Sequence, residues 1–198
     1  MFPKTFQKLI DHFIALPSIG PKMAERLVLF LFKYDKDKVL SFAEDLQDLA
    51  NNLHFCKNCY HIAEDEGLCS ICLSENRNRE IICVTEDPLD VISIEKSKAF
   101  NGLYHVLGGN LTVMNDKEIK KLNFDKLIER VREEEVKEVI IATNPTTDGD
   151  TTALYLRRIL QELPVKITRL GRGMPTGGDI EYADQITLSS AIEGRREM

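Results

Sequence analysis

VIIATNPTTDGDTTALYL, residues 139–156, is the stretch on which the reading of the fold turns. It opens on a short continuous apolar run, as expected of a strand buried on both faces of a parallel sheet. Asn144 and Pro145 break the run, two aspartates follow at 148 and 150, and apolar residues then return at helical spacing, which predicts a helix over 150–162. Strand, acid-bearing loop and helix in succession are the repeating unit of an α/β domain. The same texture recurs outward from this stretch. IICVTE (81–86), YHVLG (104–108) and VKITRL (165–170) read as further buried strands, and helices are expected over 87–97 and 116–134.

The first fifty residues differ. Phe6, Leu9, Ile10, Phe13 and Ile14 recur at helical intervals, as do Val39, Phe42, Leu46, Leu49 and Leu53, with a third apolar helix between them from about Pro21 to Phe32. Met23, Leu27 and Phe30 are expected to supply the packing contacts of that middle helix. The net charge is −6, yet residues 1–33 carry five Lys or Arg against two acids. Screening over about 8 Å lets such a basic face act apart from distant acids, although a solvated helix surface carries a similar excess. No apolar run approaches the length of a membrane span, and the N-terminus lacks the uninterrupted apolar centre of a secretion signal. A cytoplasmic protein with no membrane partner is the expectation. The tail EGRREM is expected to be disordered.

Two helices meet at LPSIGPKMA, residues 16–24. Gly20 offers a backbone without Cβ, and Pro21 suits the first helical position. The turn therefore presents a helix N-terminus, whose free N–H groups and positive dipole end suit a phosphate. Lys22 and Arg26, four apart, leave the same helix face. Together Gly20, Lys22 and Arg26 read as a sequence-independent DNA-backbone clamp, or else as an ordinary helical hairpin with a glycine in its turn.

Cys56, Cys59, Cys69 and Cys72 form two C-x2-C pairs nine residues apart. Four thiolates so spaced can surround one Zn²⁺ tetrahedrally, and a closed four-sulfur site leaves no position for substrate, so the role predicted is structural. Cys83, inside an apolar run, reads as a small buried hydrophobe. Glu86 follows one predicted strand, and Asp148 and Asp150 follow another. In an open parallel sheet the loops beyond the carboxyl ends of strands gather at one crevice, so these acids could converge on Mg²⁺. The alternative takes Asp150 as a helix N-cap and Asp148 with Gly149 as a turn.

LPSIGPKMA resembles a helix-hairpin-helix DNA-binding motif, with Ser18 where that family usually has its first glycine. If that position needs positive φ, Ser18 is strained. The spacing of Glu86 with Asp148-Gly149-Asp150 resembles a Toprim domain, in whose enzymes the matching positions serve acid–base and metal work. RLGRGMPTGGDIEYAD is similar to a C-terminal signature likened to a Walker B segment. In this order the motifs resemble the RecR family. The resemblance implies a multi-domain α+β chain: a helix-hairpin-helix domain at 1–54, a four-cysteine zinc finger at 55–78, an α/β Toprim domain with a mostly parallel sheet at 79–173, and a Walker-B-like segment at 174–198. It also implies binding to double-stranded, gapped or single-stranded DNA, work with RecO and RecF to load RecA in bacterial recombinational repair, assembly as a dimer or tetrameric ring, and a nucleoid-associated location.

No reaction is ascribed to the family. The rival reading is a Mg²⁺-dependent nuclease built on the three acids. A topoisomerase needs a tyrosine nucleophile domain and a primase needs nucleotide-binding machinery, for which 198 residues leave no space. Without a G-x-x-x-x-G-K-[ST] loop, the Walker-B-like segment has no phosphate cradle to serve. Arg169 and Arg172, beside Gly171 and Gly173, read as a DNA-facing surface, a subunit contact or a salt-bridged loop.

Overall fold

A computed structural model describes residues 2–64, 67–195 and 197. The chain divides into two compact units, residues 1–53 and 54–198.

The first unit holds α1 (Lys4–Ile14), α2 (Pro21–Lys33) and α3 (Lys36–Asn52). Ile10, Ala24 and Val28 are buried between α1 and α2, with Phe6, Phe13 and Ile19 packed around them. The seam on α2 therefore differs from the one expected. Met23 and Phe30 are 50% and 57% exposed. Helix α2 is apolar on nearly every side, so its spacing does not single out a stripe. Ala24 decides it, because its single methyl lets the two helices approach closely. The Asp35 side chain caps α3 by accepting from the amides of Asp37 and Lys38. None of the residues of α3 is buried.

The second unit begins with a small hairpin, β1 (His54–Phe55) against β2 (Ile62–Ala63), and a single helical turn, α4 (Ser70–Leu73). The main domain follows: β3 (Asn78–Thr85), α5 (Pro88–Ser97), β4 (Gly102–Val106), α6 (Asp116–Ile119), α7 (Phe124–Glu133), β5 (Glu138–Ile141), α8 (Thr147–Leu160) and β6 (Lys166–Arg169). Its four strands are all parallel, in the order β4-β3-β5-β6. Ile82, Val84, Leu103, Val139, Leu127 and Leu156 lie in one buried cluster that also takes in the four cysteines at 56, 59, 69 and 72. A 3₁₀ turn (Ile180–Tyr182) and α9 (Gln185–Glu193) close the chain.

Two helical boundaries depart from expectation. The segment 116–134 is two helices rather than one, because Asn123 is tied to the sheet: its amide donates to the Leu107 carbonyl and its Nδ2 to that of Val106, both at 3.0 Å. Helix α8 starts at Thr147, three residues early, capped by Thr146 Oγ1, which accepts from the Gly149 amide at 3.1 Å. Asp148 and Asp150 thus lie in the first helical turn, and neither is the N-cap. The tail is helical up to Glu193, where disorder was expected to begin; Arg196 and Met198 lie outside the described residues.

Candidate nucleic-acid interface and metal centre

The hairpin between α1 and α2 turns through Ser18, whose φ of 64° lies in the left-handed region. A serine there is strained where glycine would not be. Gly20 is different. Its φ of −87° suits any residue, and a Cβ built on it meets nothing within 4 Å. The fold does not itself require Gly20, and the space beside it opens directly onto the start of α2. No side chain caps that start, and among the described residues the amides of Gly20 and Lys22 have no protein acceptor. Lys22 and Arg26 are both exposed, and neither is in an ion pair among the described residues. The turn thus presents free N–H donors, a helix dipole and two cations, with room for an oxyanion against the backbone.

The four cysteines converge. Their sulfurs all lie within 4.8 Å of one another and all four residues are buried. Cys56 and Cys59 sit in the turn of the β1–β2 hairpin, where Tyr60 takes a φ of 61°, while Cys69 is the N-cap of α4 and Cys72 lies within it. The Cys69 amide donates to Cys56 Sγ at 3.3 Å, and Cys59 Sγ lies 3.5 Å from Cys69 Sγ. Hydrogen bonds from Cys59, Cys69 and Cys72 push the Cys56 thiol far down, so it is readily a thiolate. Hydrogen bonds with the other cysteines, Cys56 foremost and Cys69 after it, and then burial hold Cys59 and Cys72 up. A soft divalent ion would resolve this conflict by binding all four as thiolates. Four converging sulfurs, closed and buried, fit a structural metal. His61 lies nearby, but neither it nor His54 belongs to the group.

This insert is bonded into the sheet domain through both cysteine pairs. The Val106 amide on edge strand β4 donates to the Cys59 carbonyl at 2.8 Å, Asn58 Nδ2 donates to Glu134 Oε1 at 3.1 Å, and Arg79 donates to the Cys72 carbonyl at 3.2 Å. The Tyr60 ring meets the His105 ring edge-on. Beneath it lies a network the sequence did not reveal. Arg130, 2% exposed, donates to the Tyr104 carbonyl and pairs with Glu134, and His105 Nε2 lies 2.8 Å from the Asn123 carbonyl oxygen. Burial, and then the Arg130 charge, pull His105 down to about 3. Cys83 is buried as expected, its thiol pushed up to about 12.

The three acids have separate surroundings. Glu86, 4% exposed, accepts from the Asn144 amide at 2.9 Å, Asn144 Nδ2 at 2.8 Å and Asn110 Nδ2 at 3.1 Å. Its carboxylate thereby joins three loops at the carboxyl edge of the sheet. Gly149 makes this possible, for a Cβ there would stand 2.1 Å from the Asn144 carbonyl oxygen and 2.9 Å from Glu86 Oε1. Asp150 is bound by Arg169 and by both terminal nitrogens of Arg172, which hold its carboxyl below the usual range, Arg172 foremost. Asp148 is half-buried. Among the described residues these three carboxylates are not gathered into a metal-holding group as the cysteines are. Asn110 and Asn144 were not foreseen, because nothing in their sequence context distinguishes them from turn residues.

Three family models match the chain: "RecR, helix-hairpin-helix" over residues 6–50, "Toprim domain" over 80–171 and "RecR, C-terminal" over 173–196. The two RecR models flank the Toprim match, and the residues left uncovered are 51–79, which hold the cysteine insert, Arg172 and the two ends. The chain belongs to the RecR family. Membership carries a role in recombinational DNA repair, and it gives the hairpin, the four-sulfur centre and the Toprim sheet one context. The expected resemblances to a helix-hairpin-helix, a Toprim domain and a RecR C-terminal segment are all met. No helix among the described residues of this RecR-family chain is long and apolar enough to cross a membrane.

Proposed function

We propose that the chain is a non-catalytic recombination mediator that grips DNA by its phosphate backbone and, with RecO and RecF, promotes RecA loading at gapped or single-stranded DNA. In this reading residues 1–54 bind DNA, 55–78 fold around one structural Zn²⁺, 79–173 form the scaffold and 174–198 serve assembly. Work beside the bacterial nucleoid in the cytoplasm follows from this role. The observation that carries the reading is the uncapped start of α2, with Gly20 leaving open space beside it and Lys22 and Arg26 exposed on the helix. Contacts of that kind recognise phosphate and not base, so affinity should depend steeply on salt and little on sequence.

The engagement of Glu86 supports a scaffold over a nuclease. Glu86 is buried and accepts three donors from loops, so a catalytic ion would have to displace internal partners there. Asp148 remains the acid best placed for a partner protein or Mg²⁺.

The test is DNA binding by the full chain with Lys22→Ala and Arg26→Ala combined. The variant should keep its thermal stability, since both side chains are exposed. The slope of log affinity against log salt should fall by about 0.7 to 0.9 for each phosphate that the variant no longer neutralises. Unchanged affinity at every salt concentration would remove the hairpin as the clamp. Cleavage of DNA in Mg²⁺, abolished by Asp148→Asn, would establish the nuclease instead.

A further inference from the structure

Beyond the hairpin, the carboxyl edge of the Toprim sheet carries a cluster of cations whose donors are not fully used. Arg169, the last residue of β6, gives one terminal nitrogen to Asp150 Oδ1 at 2.5 Å, and the same nitrogen lies 3.5 Å from Thr143 Oγ1. Its other terminal nitrogen and its Nε meet no acceptor among the described residues. Arg172 sets both terminal nitrogens on the same Asp150 carboxylate. One carboxylate thus faces two guanidiniums and neutralises one of them.

Arg157, exposed on α8, lines a cleft of about 340 Å³ together with Arg169, over a floor that includes Leu154 and Ile167. Arg157 makes no ion pair or side-chain hydrogen bond among the described residues. A neighbouring cleft of about 400 Å³ is lined by Arg169, Arg172 and Glu193. Three guanidiniums therefore line two clefts along edge strand β6, Arg169 and Arg172 at its carboxyl end and Arg157 on the last turn of α8, with two carboxylates, Asp150 and Glu193, beside them.

A carboxylate held by two guanidiniums, one of them through both terminal nitrogens, is arranged much as a phosphate group would be, with N–H donors converging on oxygen. The Asp150 side chain is 44% exposed and those of Arg169 and Arg172 about a third. At that exposure an ion pair contributes little net stability, so an incoming anion can replace the carboxylate, which then hydrates. We propose that Arg157, Arg169 and Arg172 form a second phosphate-binding site, for the phosphodiester backbone of a DNA strand, and that Asp150 is its internal competitor. The inference rests on the reading that the chain binds DNA. Asp150 then orients the guanidiniums when DNA is absent and yields them when a strand arrives.

The experiment measures the affinity of the full chain for a labelled single strand and a labelled duplex across a salt series, alongside thermal unfolding. Arg157→Ala and Arg169→Ala should each weaken binding several-fold and lower the salt slope by about 0.7 to 0.9. Asp150→Asn should tighten binding several-fold at low salt, because it removes the competitor and adds one net positive charge. Arg169→Ala and Asp150→Asn should both lower the unfolding temperature slightly, since each breaks the same clip. Opposite signs in affinity with the same sign in stability separate a competitor from a mere structural bridge. Arg157→Ala, which breaks no internal bond, keeps the test open if Arg169→Ala folds poorly. Binding by Asp150→Asn that is equal to or weaker than the parent's, or parent-like binding by Arg157→Ala, overturns the proposal. So does saturable uptake of inorganic phosphate that the arginine substitutions abolish while DNA affinity stays unchanged. If the parent binds no DNA, the functional reading itself fails. If Lys22→Ala with Arg26→Ala loses binding while the arginine variants match the parent, only the second site fails.

Discussion

Ser18 and Gly20 stand two residues apart and invert what their identities suggest. The position that takes a left-handed φ carries serine, and the position that any residue could adopt carries glycine. Ser18→Gly should therefore stabilise the first unit by about 1 kcal/mol, the order of the strain of a left-handed L-residue, seen as a higher midpoint in chemical denaturation. Gly20→Ala meets no steric obstacle within the chain. Its expected cost falls on DNA affinity, with stability little changed, because the added methyl fills the space where a phosphate would approach. A loss of stability without loss of affinity would show that Gly20 serves folding. His105 gives a residue-level prediction in pH. Its folded value of about 3 lies below that of an unfolded histidine, so between about 6.5 and 3 the unfolded chain binds the extra proton. The stability contributed by the neutral ring is thus fully present above about pH 6.5. It diminishes as pH falls, at up to about 1.4 kcal/mol per unit. Denaturant midpoints of the parent should fall over this window more steeply than those of His105→Asn.

At the scale of elements, the cysteine insert and edge strand β4 belong together. The first pair is bonded to β4 through the Cys59 carbonyl and to α7 through Asn58, and the second to Arg79 at the start of β3. Loss of the metal should spread beyond the insert. The purified chain should hold about one zinc per molecule, and Cys56→Ser or chelation should release it while exposing the Leu103–Val106 amides to hydrogen exchange. Retained protection of β4 in the zinc-free chain would show that the bonds are passive. Much at this scale was legible in advance. Buried parallel strands announce themselves as apolar runs, and two C-x2-C pairs allow few geometries. The hairpin helices, the cysteine cluster and the site of Glu86 just past a strand could all be read. What stayed hidden depends on contacts between segments distant in the chain. Asn123 breaks a helix because of a bond to β4, Arg130 is buried because acceptors await it beneath the insert, and Asp150 faces two arginines that lie nineteen and twenty-two residues on. No local pattern encodes these.

The whole molecule leaves its two units unequally finished. The second buries a continuous core, whereas among the described residues the first buries only Ile10, Ala24 and Val28 of its hydrophobes. Helix α3 has an apolar stripe, Phe42, Leu46 and Leu49, that is 44%, 51% and 59% exposed, and Phe32 on α2 is 78% exposed. A water-facing stripe of this kind marks an association surface. Its periodicity is that of a helix packed against another helix, and in the dimer or tetrameric ring expected of the family a second copy of the chain would supply such a partner. Phe42→Asp with Leu46→Asp should therefore reduce the mass found by analytical ultracentrifugation. Because α3 buries nothing within its own chain, the change should leave the unfolding of the second unit unaltered. DNA affinity should fall with the mass even though Lys22 and Arg26 are untouched, since linked clamps gain from effective concentration. Parent-like mass in the variant would place the subunit contact elsewhere, with the exposed Ile180, Tyr182 and Ile186 of the C-terminal segment next to be changed.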